Sequence, residues 1–321
     1  MNISIVIVTG NRDPLLCGLL QELLQQTHKS MEIVVVIGPG SQATWQAVKE
    51  IPGNLKTVYC PARNIARARN IGAQKAAGEL IGFIDDDAMP ASKNWVAGFC
   101  DFFEKDTSCA YAAAGGQVLY RDSSVEEFHD HNNTVNDYGQ FAVPGLKMDT
   151  AMVSSRWVLR VPGCNAFFRR SSLRQVKGFD EAYRYYHDET DICFRLTKMG
   201  IKTAYLENSS VRHYDAKGKK PLLYRRPWRN IAFSDAYYCM KNGLDPLPQK
   251  IVKTLRSLPA RHYVKEAQIA GTQGQTSSSE TKKIKRLLVK GWASGIFTGL
   301  LKRRMLPDFE VKPDNFMDFR R

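Results

Sequence analysis

The stretch Gly82-Phe83-Ile84-Asp85-Asp86-Asp87-Ala88-Met89-Pro90 is an apolar strand that ends in three consecutive carboxylates and is stopped by a proline. Three like charges at the end of a buried strand repel one another unless a cation compensates them. Hard divalent ions such as Mg²⁺ and Mn²⁺ take oxygen ligands, usually one or two carboxylates together with substrate phosphates. The triplet therefore predicts a metal site that receives a nucleotide diphosphate, with a solvated acidic turn as the alternative.

Strand and helix patterns alternate on the N-terminal side of this triplet. The predicted strands are Asn2–Val8, Glu32–Ile37, Leu55–Cys60 and Leu80–Asp85. The first predicted helix begins at Asp13-Pro14. Two further helices cover Ala43–Ile51 and Ile65–Ala77, and Gly78 is predicted to end the second of these. This alternation indicates an α/β fold with a mostly parallel sheet covered by helices, and such sheets bind ligands at the carboxyl ends of their strands.

The chain continues with a predicted helix over Trp95–Glu104 and a strand over Ala110–Tyr120. Residues 121–155 have weak periodicity, which is typical of a long loop near a site or of an ordinary surface excursion. Lys202–Leu206 and Ser209–His213 read as two short strands.

A second acidic cluster, His187-Asp188-Glu189-Thr190-Asp191, precedes apolar residues at helical spacing. We therefore expect these carboxylates at a helix N-terminus, where the helix dipole favours their ionised form. They could serve in catalysis or merely cap the helix.

The net charge of +14 is concentrated in the last third of the chain. Residues 1–200 hold 21 Lys and Arg against 22 Asp and Glu, whereas residues 201–321 hold 25 against 10. Such a region could bind anionic lipid headgroups, an acidic polymer or nucleic acid. Within it, Gly271–Ser279 is a linker by composition, and Lys282–Arg304 is a basic amphipathic helix that packs on the body or lies on a membrane surface.

Other features of the sequence limit the classes of protein to which the chain can belong. No apolar run approaches the roughly 20 residues that span a bilayer, and Ile3–Val8 is too short for a signal peptide. The seven cysteines form no CxxC or zinc-type spacing, so we expect them to be reduced. These features predict a cytoplasmic location, with possible peripheral binding to the inner face of the plasma membrane.

Taken in order, the motifs over residues 1–215 resemble the family 2 glycosyltransferases, inverting enzymes with the GT-A fold. The motifs are Thr9-Gly10-Asn11-Arg12, Ala68-Arg69-Asn70-Ile71-Gly72, the acidic triplet, Gly163-Cys164-Asn165, Gly178-Phe179-Asp180-Glu181, the second acidic cluster with Arg195, and His213. The acidic residues usual at the end of the family's second strand are replaced here by Ile37-Gly38. This departure leaves the identity of the nucleotide open.

The resemblance implies a role for each matching residue. The general base would be Glu189, with Asp188 as the second candidate, and acceptor contacts would come from Asn165 and Asp191. The metal, Mg²⁺ or Mn²⁺, would be held by Asp85, Asp87 and His213. The nucleotide-sugar would be bound by Thr9, Asn11, Arg12, Arg69, Asn70, Asp85 and Asp86.

The predicted architecture is a GT-A domain at residues 1–215 followed by a basic helical region at 216–321. In the first, residues 1–120 would bind the nucleotide-sugar and residues 121–215 the acceptor. The predicted activity is transfer of a sugar from a nucleotide-diphosphate sugar to a hydroxyl of a glycan or lipid-linked acceptor in surface polysaccharide biosynthesis. One alternative is a sugar-nucleotide nucleotidyltransferase, although the first strand lacks the glycine-rich loop expected there. Another is a membrane- or nucleic-acid-binding protein with a degenerate transferase body.

Overall fold

The computed structural model describes residues 1–10, 13–120, 134–136, 138, 157–214, 227–256, 264–265, 268–269, 272 and 277–305. The chain divides into two compact units. The first, here called the sheet unit, comprises Met1–Asn136, Gln140–Tyr183 and His187–Leu222. The second, the helical unit, comprises Asp137–Gly139, Arg184–Tyr186 and Leu223–Arg321.

Among the described residues, the sheet unit contains an eight-stranded sheet with strand order β3-β2-β1-β4-β9-β6-β10-β5. Its strands are β1 Ile3–Thr9, β2 Met31–Ile37, β3 Leu55–Tyr59, β4 Leu80–Asp85, β5 Ala88–Pro90, β6 Tyr111–Tyr120, β9 Asn165–Arg169 and β10 Lys202–His213. A separate antiparallel pair is formed by β7 Thr134–Asn136 and β8 Trp157–Leu159.

The first four strands of this order pair in parallel, and β9 then runs antiparallel between β4 and β6. Strands β1, β2 and β4 are apolar on both faces because helices cover both faces of the sheet. The sheet unit thus has the mostly parallel, helix-flanked architecture that the sequence predicted.

Six helices, counted over the described residues of the sheet unit, flank the sheet. They are α1 Asp13–Leu24, α2 Gln42–Lys49, α3 Ile65–Lys75, α4 Trp95–Lys105, α5 Arg170–Gln175 and α6 Asp188–Lys198. Leucines of α1 and aromatic residues of α4 share one core with Ile3, Ile5 and Ile7 of β1. Residues of α3, α5 and α6 share the other core with Val6. Alternate residues of β1 therefore point into two cores, as the strand period requires.

Two local expectations were wrong. Helix α3 ends at Lys75, and Gly78 lies beyond it in a tight packing site, where a Cβ would come within 2.6 Å of the Ser4 amide nitrogen. The two short strands expected at 202–213 form one continuous strand, β10, with an irregular register between Leu206 and Val211. In each case a tertiary contact overrides the local sequence signal.

The predicted loop and linker fall largely outside the described residues. Within 121–155, Thr134–Asn136 forms β7 and Tyr138 is buried, and the rest of that range is not described. Within the predicted linker, Thr272 and residues 277–279 are described, and Ser278 already begins a helix.

The helical unit contains α7 Trp228–Asn242, α8 Leu247–Arg256 and α9 Ser278–Met305. Helix α9 packs on α7 through Gly291, Gly295 and Gly299, which are spaced four residues apart on one face. A Cβ at Gly299 would come within 2.5 Å of the Met240 Cβ, so only glycine allows this close approach. The basic helix therefore packs through one face on α7, another helix of the same unit. No helix in the described part of the chain is long and apolar enough to cross a membrane.

The α7–α9 contact predicts a position-dependent cost of enlarging small residues in α9. Gly295→Leu should lower the free energy of unfolding by about 2 kcal/mol or more, because its Cβ alone would lie 2.9 Å from the Ala236 Cβ. Ala293→Leu, at an exposed position of the same helix, should change it by less than about 0.5 kcal/mol. Urea denaturation of both variants measures the difference, and equal costs would contradict the packing.

Candidate active site

Parallel strands β1 and β4 end side by side and present their polar residues at one edge of the sheet. Val8 pairs with Asp85 in the register of these strands. The Thr9 hydroxyl donates a 2.8 Å hydrogen bond to Asp86 Oδ2, and both side chains are buried. The middle carboxylate of the triplet is therefore held by the adjacent strand, and Asp85 and Asp87 flank it.

Asp85, Asp87 and His213 form a cluster whose potential ligand atoms all lie within 4.8 Å of one another. His213 reaches it because the end of β10 pairs antiparallel with β5, which places His213 opposite Ala88. The Tyr214 amide also donates to the Asp87 carbonyl oxygen at 2.9 Å, which fixes the chain just after His213. Two carboxylates and an imidazole are a donor set that suits Mn²⁺ or Mg²⁺, so the residues present fit a divalent ion.

Arg69, from α3, joins the acidic triplet to the second acidic cluster. Its guanidinium donates to Asp188 Oδ2 at 2.7 Å and to Asp85 Oδ1 at 3.4 Å, and it lies 3.6 Å from Glu189 Oε2. A further hydrogen bond of 3.1 Å reaches the Gly163 carbonyl oxygen. Since the side chain is only 5% exposed, these contacts lie in a region of low dielectric and are strong. Residues more than a hundred positions apart are thereby held at one site.

The charge of this buried arginine is maintained by its carboxylate partners. Burial by itself would lower the pKa of the Arg69 guanidinium, but the negative charges of Asp188, Asp85 and Glu189 outweigh burial and raise it. Arg69 is thus a permanent cation between the two clusters.

A side chain at position 163 would press on the same arginine. A Cβ there would lie 2.7 Å from Arg69 Nη2, so any larger residue would displace the guanidinium. The Gly163-Cys164-Asn165 motif therefore influences the site through the contact between Gly163 and Arg69.

Glu189 lies in the first turn of α6, where its side chain is 13% exposed. The residue before the helix, His187, adopts the left-handed conformation with φ +73°. Burial, the charge of Asp188 and a hydrogen bond with Asp188 together raise the pKa of Glu189 to about 8. Arg69 and Arg160 oppose this rise but do not cancel it. Burial and the neighbouring carboxylate of Asp188 thus act against the helix dipole, which by itself favours the ionised form of Glu189.

The structure places Asn165 and Asp191 in the interior. The Asn165 carboxamide accepts from Trp95 Nε1 at 2.9 Å and donates to the carbonyl oxygens of Gln117 and Ser209. Asp191 accepts from the Tyr183 hydroxyl at 3.1 Å and from Arg195 Nε at 2.8 Å. Both side chains are fully buried and support the packing around the site, and the acceptor contacts expected for them stay predictions.

Asn70 also has a supporting position. Its carboxamide accepts from the Phe179 amide at 2.8 Å and donates to the Phe179 carbonyl oxygen at 2.9 Å. These bonds hold the turn that begins at Gly178, whose φ of +71° favours glycine. The donor contact expected for Asn70 stays a prediction. Asn11 and Arg12, also predicted to bind the donor, lie outside the described residues.

Arg160 was not predicted from the sequence. It is 7% exposed and its guanidinium lies 4.0 Å from Glu189 Oε1, so a second cation faces this carboxylate. Arg160 directly follows β8 and belongs to none of the motifs identified in the sequence, so no sequence signal pointed to it.

Comparison with known proteins identifies the family of this chain. The family model described as "Glycosyl transferase family 2" matches residues 4–177, more than half of the chain. The chain belongs to this family. The match includes Thr9, Arg69 and the acidic triplet, and it ends before Glu189 and His213.

Two curated relatives of this family 2 member illustrate the likeness. An uncharacterized glycosyltransferase, YwdF, from Bacillus subtilis is 31% identical over 138 residues, covering 42% of this chain and 46% of that protein. The O-antigen biosynthesis protein RfbC from Myxococcus xanthus is 21% identical over 231 residues, covering 68% of this chain and 18% of that protein. The matches thus span less than half of the length of either relative.

A solved structure shows the same fold. The mannosyltransferase PcManGT from Pyrobaculum calidifontis, in complex with GDP-Man and Mn²⁺, superposes with a TM-score of 0.57 at 16% identity. The superposition covers 92% of this chain and 87% of that one. The GT-A fold expected for this family 2 chain is therefore confirmed.

Removal of Arg69 should destabilise the sheet unit. Arg69→Ala leaves Asp188 and Glu189 buried with little compensation, and we expect a loss of about 3 kcal/mol or more in the free energy of unfolding. Arg67→Ala is the matched control, because Arg67 is exposed on the same helix. Chemical denaturation compares the two, and a similar small cost for both would contradict the bridging role.

The raised pKa of Glu189 should make stability fall as pH rises. Between the unfolded value of 4.5 and the folded value of about 8, the unfolded chain has released a proton that the folded chain retains. The free energy of unfolding then falls by about 1.4 kcal/mol per pH unit. From about pH 5.5 to about pH 7.5, wild type should lose roughly 2 kcal/mol more than Glu189→Gln does.

The control for this comparison is Glu50→Gln, which alters an exposed carboxylate of the same unit. The free energy of unfolding of Glu50→Gln should vary with pH as that of wild type does. If Glu189→Gln kept it as well, Glu189 would be ionised in the folded protein at neutral pH.

Proposed function

We propose that this protein is an inverting glycosyltransferase that moves a sugar from a nucleotide-diphosphate sugar to a hydroxyl of a glycan or lipid-linked acceptor. The observation that supports this most directly is the pair of carboxylate clusters joined by buried Arg69. One cluster has the donor set of a divalent cation, and the other contains a carboxylate with a raised pKa. Glycosyl transfer needs both, because a diphosphate must leave while a hydroxyl loses its proton.

On the donor side, Asp85, Asp87 and His213 would hold Mg²⁺ or Mn²⁺. A bound ion would act as a Lewis acid that stabilises negative charge on the departing diphosphate. Thr9 and Asp86 lie beside this cluster, and their mutual hydrogen bond keeps the Asp86 carboxylate turned toward β1. The complex of PcManGT with GDP-Man and Mn²⁺ is consistent with a donor of this class.

On the acceptor side, Glu189 would accept the proton of the attacking hydroxyl. The acceptor oxygen then bonds to the anomeric carbon, the bond to the nucleotide diphosphate breaks, and the configuration inverts. A carboxylate whose pKa is about 8 is a stronger base than an ordinary one once it has lost its proton. Asp188 forms an ion pair with Arg69 and a hydrogen bond with Glu189, and through these contacts it would position the Glu189 carboxylate. The likeness to the O-antigen biosynthesis protein RfbC supports an acceptor in surface polysaccharide assembly.

The donor site is tested by calorimetry with UDP, GDP, dTDP and CDP, each with and without Mn²⁺. We expect one diphosphate to bind in a metal-dependent manner, with affinity at least about tenfold weaker in Asp87→Asn because a ligand charge is lost. Asp101→Asn removes an exposed carboxylate of the same unit and should bind as wild type does. Failure of all four to bind would overturn the donor site.

The base is tested by separating turnover from donor binding. Glu189→Gln should lower kcat by about a hundredfold or more while donor affinity stays within about threefold, because the amide cannot accept the proton. In wild type, kcat/KM should rise with pH as Glu189 loses its proton near pH 8. If Glu189→Gln cost only about 1 kcal/mol of stability and left turnover intact, the carboxylate would be a helix cap.

A further inference from the structure

The outward face of α9 carries large apolar side chains in solvent. Val289, Phe297 and Leu301 are 64%, 62% and 50% exposed, and Ala293 lies exposed between them. The spacing of four residues places all of these residues on one side of the helix. Because single exposed apolar residues are ordinary but a continuous row is not, this row indicates a contact surface.

Cations occupy the N-terminal half of the same outward face. Lys282, Lys283, Arg286 and Lys290 are all exposed. Within the described part of the chain, the acidic residue Glu280 in the first turn is the one negative charge of α9. We call Lys282, Lys283, Arg286 and Lys290, together with Val289, Ala293, Phe297 and Leu301, the outer face of α9.

The packing of α9 on α7 fixes this face outward. Ile284 and Leu288 are buried against Trp228 and Ala232, on the same side as the glycine contacts. At 100° per residue, Gly295 and Phe297 point in nearly opposite directions. Rotation of α9 cannot bury Phe297, because it would bring larger residues into the glycine contact.

We propose that the outer face of α9 binds the surface of an anionic lipid bilayer. Lysine and arginine would contact the lipid phosphates, and Phe297 and Leu301 would enter the boundary between headgroups and acyl chains. Only such a surface matches both halves of the face. A polyanion such as RNA has no complement for the exposed apolar row. A second copy of this helix would bring cations against like charges in a parallel pair and against the apolar row in an antiparallel pair.

This binding does not depend on the proposed transferase activity, and the two are tested separately. The full chain is sedimented with vesicles of phosphatidylcholine alone and with vesicles containing roughly 30% phosphatidylglycerol, at about 0.15 M salt. We expect sedimentation with the anionic vesicles and little with the neutral ones. Phe297→Ser combined with Leu301→Ser should weaken partitioning by about tenfold or more. Replacement of Lys282, Lys283, Arg286 and Lys290 by glutamine should weaken it by about a hundredfold or more.

The matched control replaces four exposed lysines of the sheet unit, Lys49, Lys75, Lys93 and Lys105, by glutamine. It removes the same charge and should retain vesicle binding. Absence of vesicle binding by wild type, equal binding to neutral vesicles, or equal losses in the control would overturn the proposal. Binding of RNA that is unaffected by the Phe297 and Leu301 changes, or a dimer by light scattering that these changes dissociate, would overturn it in favour of another occupant.

Discussion

The buried guanidinium of Arg69 is the interaction on which the rest of the site depends. It contacts Asp85 after β4 and Asp188 at the start of α6, and it lies beside Glu189. Without a cation at this point, the buried Asp188 carboxylate would lose its ion pair and lie uncompensated beside Asp85 and Glu189, which costs several kcal/mol for a buried unpaired ion. Arg69 therefore permits two acidic clusters from distant parts of the chain to share one edge of the sheet. A side chain at position 163 would displace this guanidinium and so disturb both ion pairs.

The same electrostatic arrangement divides the carboxylates into two kinds. Asp188 forms a short ion pair with Arg69, whereas Glu189 lies farther from it and beside a like charge. Burial and Asp188 then raise the pKa of Glu189 to about 8. Glu189 thus binds its proton more tightly than an ordinary carboxylate does, which suits the base role proposed for it.

A layer of polar residues supports this edge of the sheet, and two of its members, Asn165 and Asp191, are fully buried. Asn165 ties β9 to Trp95 of α4 and to two backbone carbonyls, and Asn70 holds the turn after Gly178. Asp191 similarly accepts from Tyr183 and Arg195. Each of these residues stands in a motif that the sequence associates with substrate binding. Their position beneath the site means that substitutions there would act on geometry and stability first.

The sequence by itself determined the alternation of strands and helices, the placement of the acidic triplet at a strand end, and the second cluster at a helix start. These features follow from periodicity and from short-range signals such as Asp13-Pro14 at the start of α1. Only the tertiary structure decided that Arg69 joins the clusters, that Asn165 and Asp191 are buried, and that β10 is continuous. The glycine contact of α9 likewise required a partner helix. Such outcomes depend on contacts between residues far apart in the chain, and a local pattern carries no information about which distant residue supplies the partner.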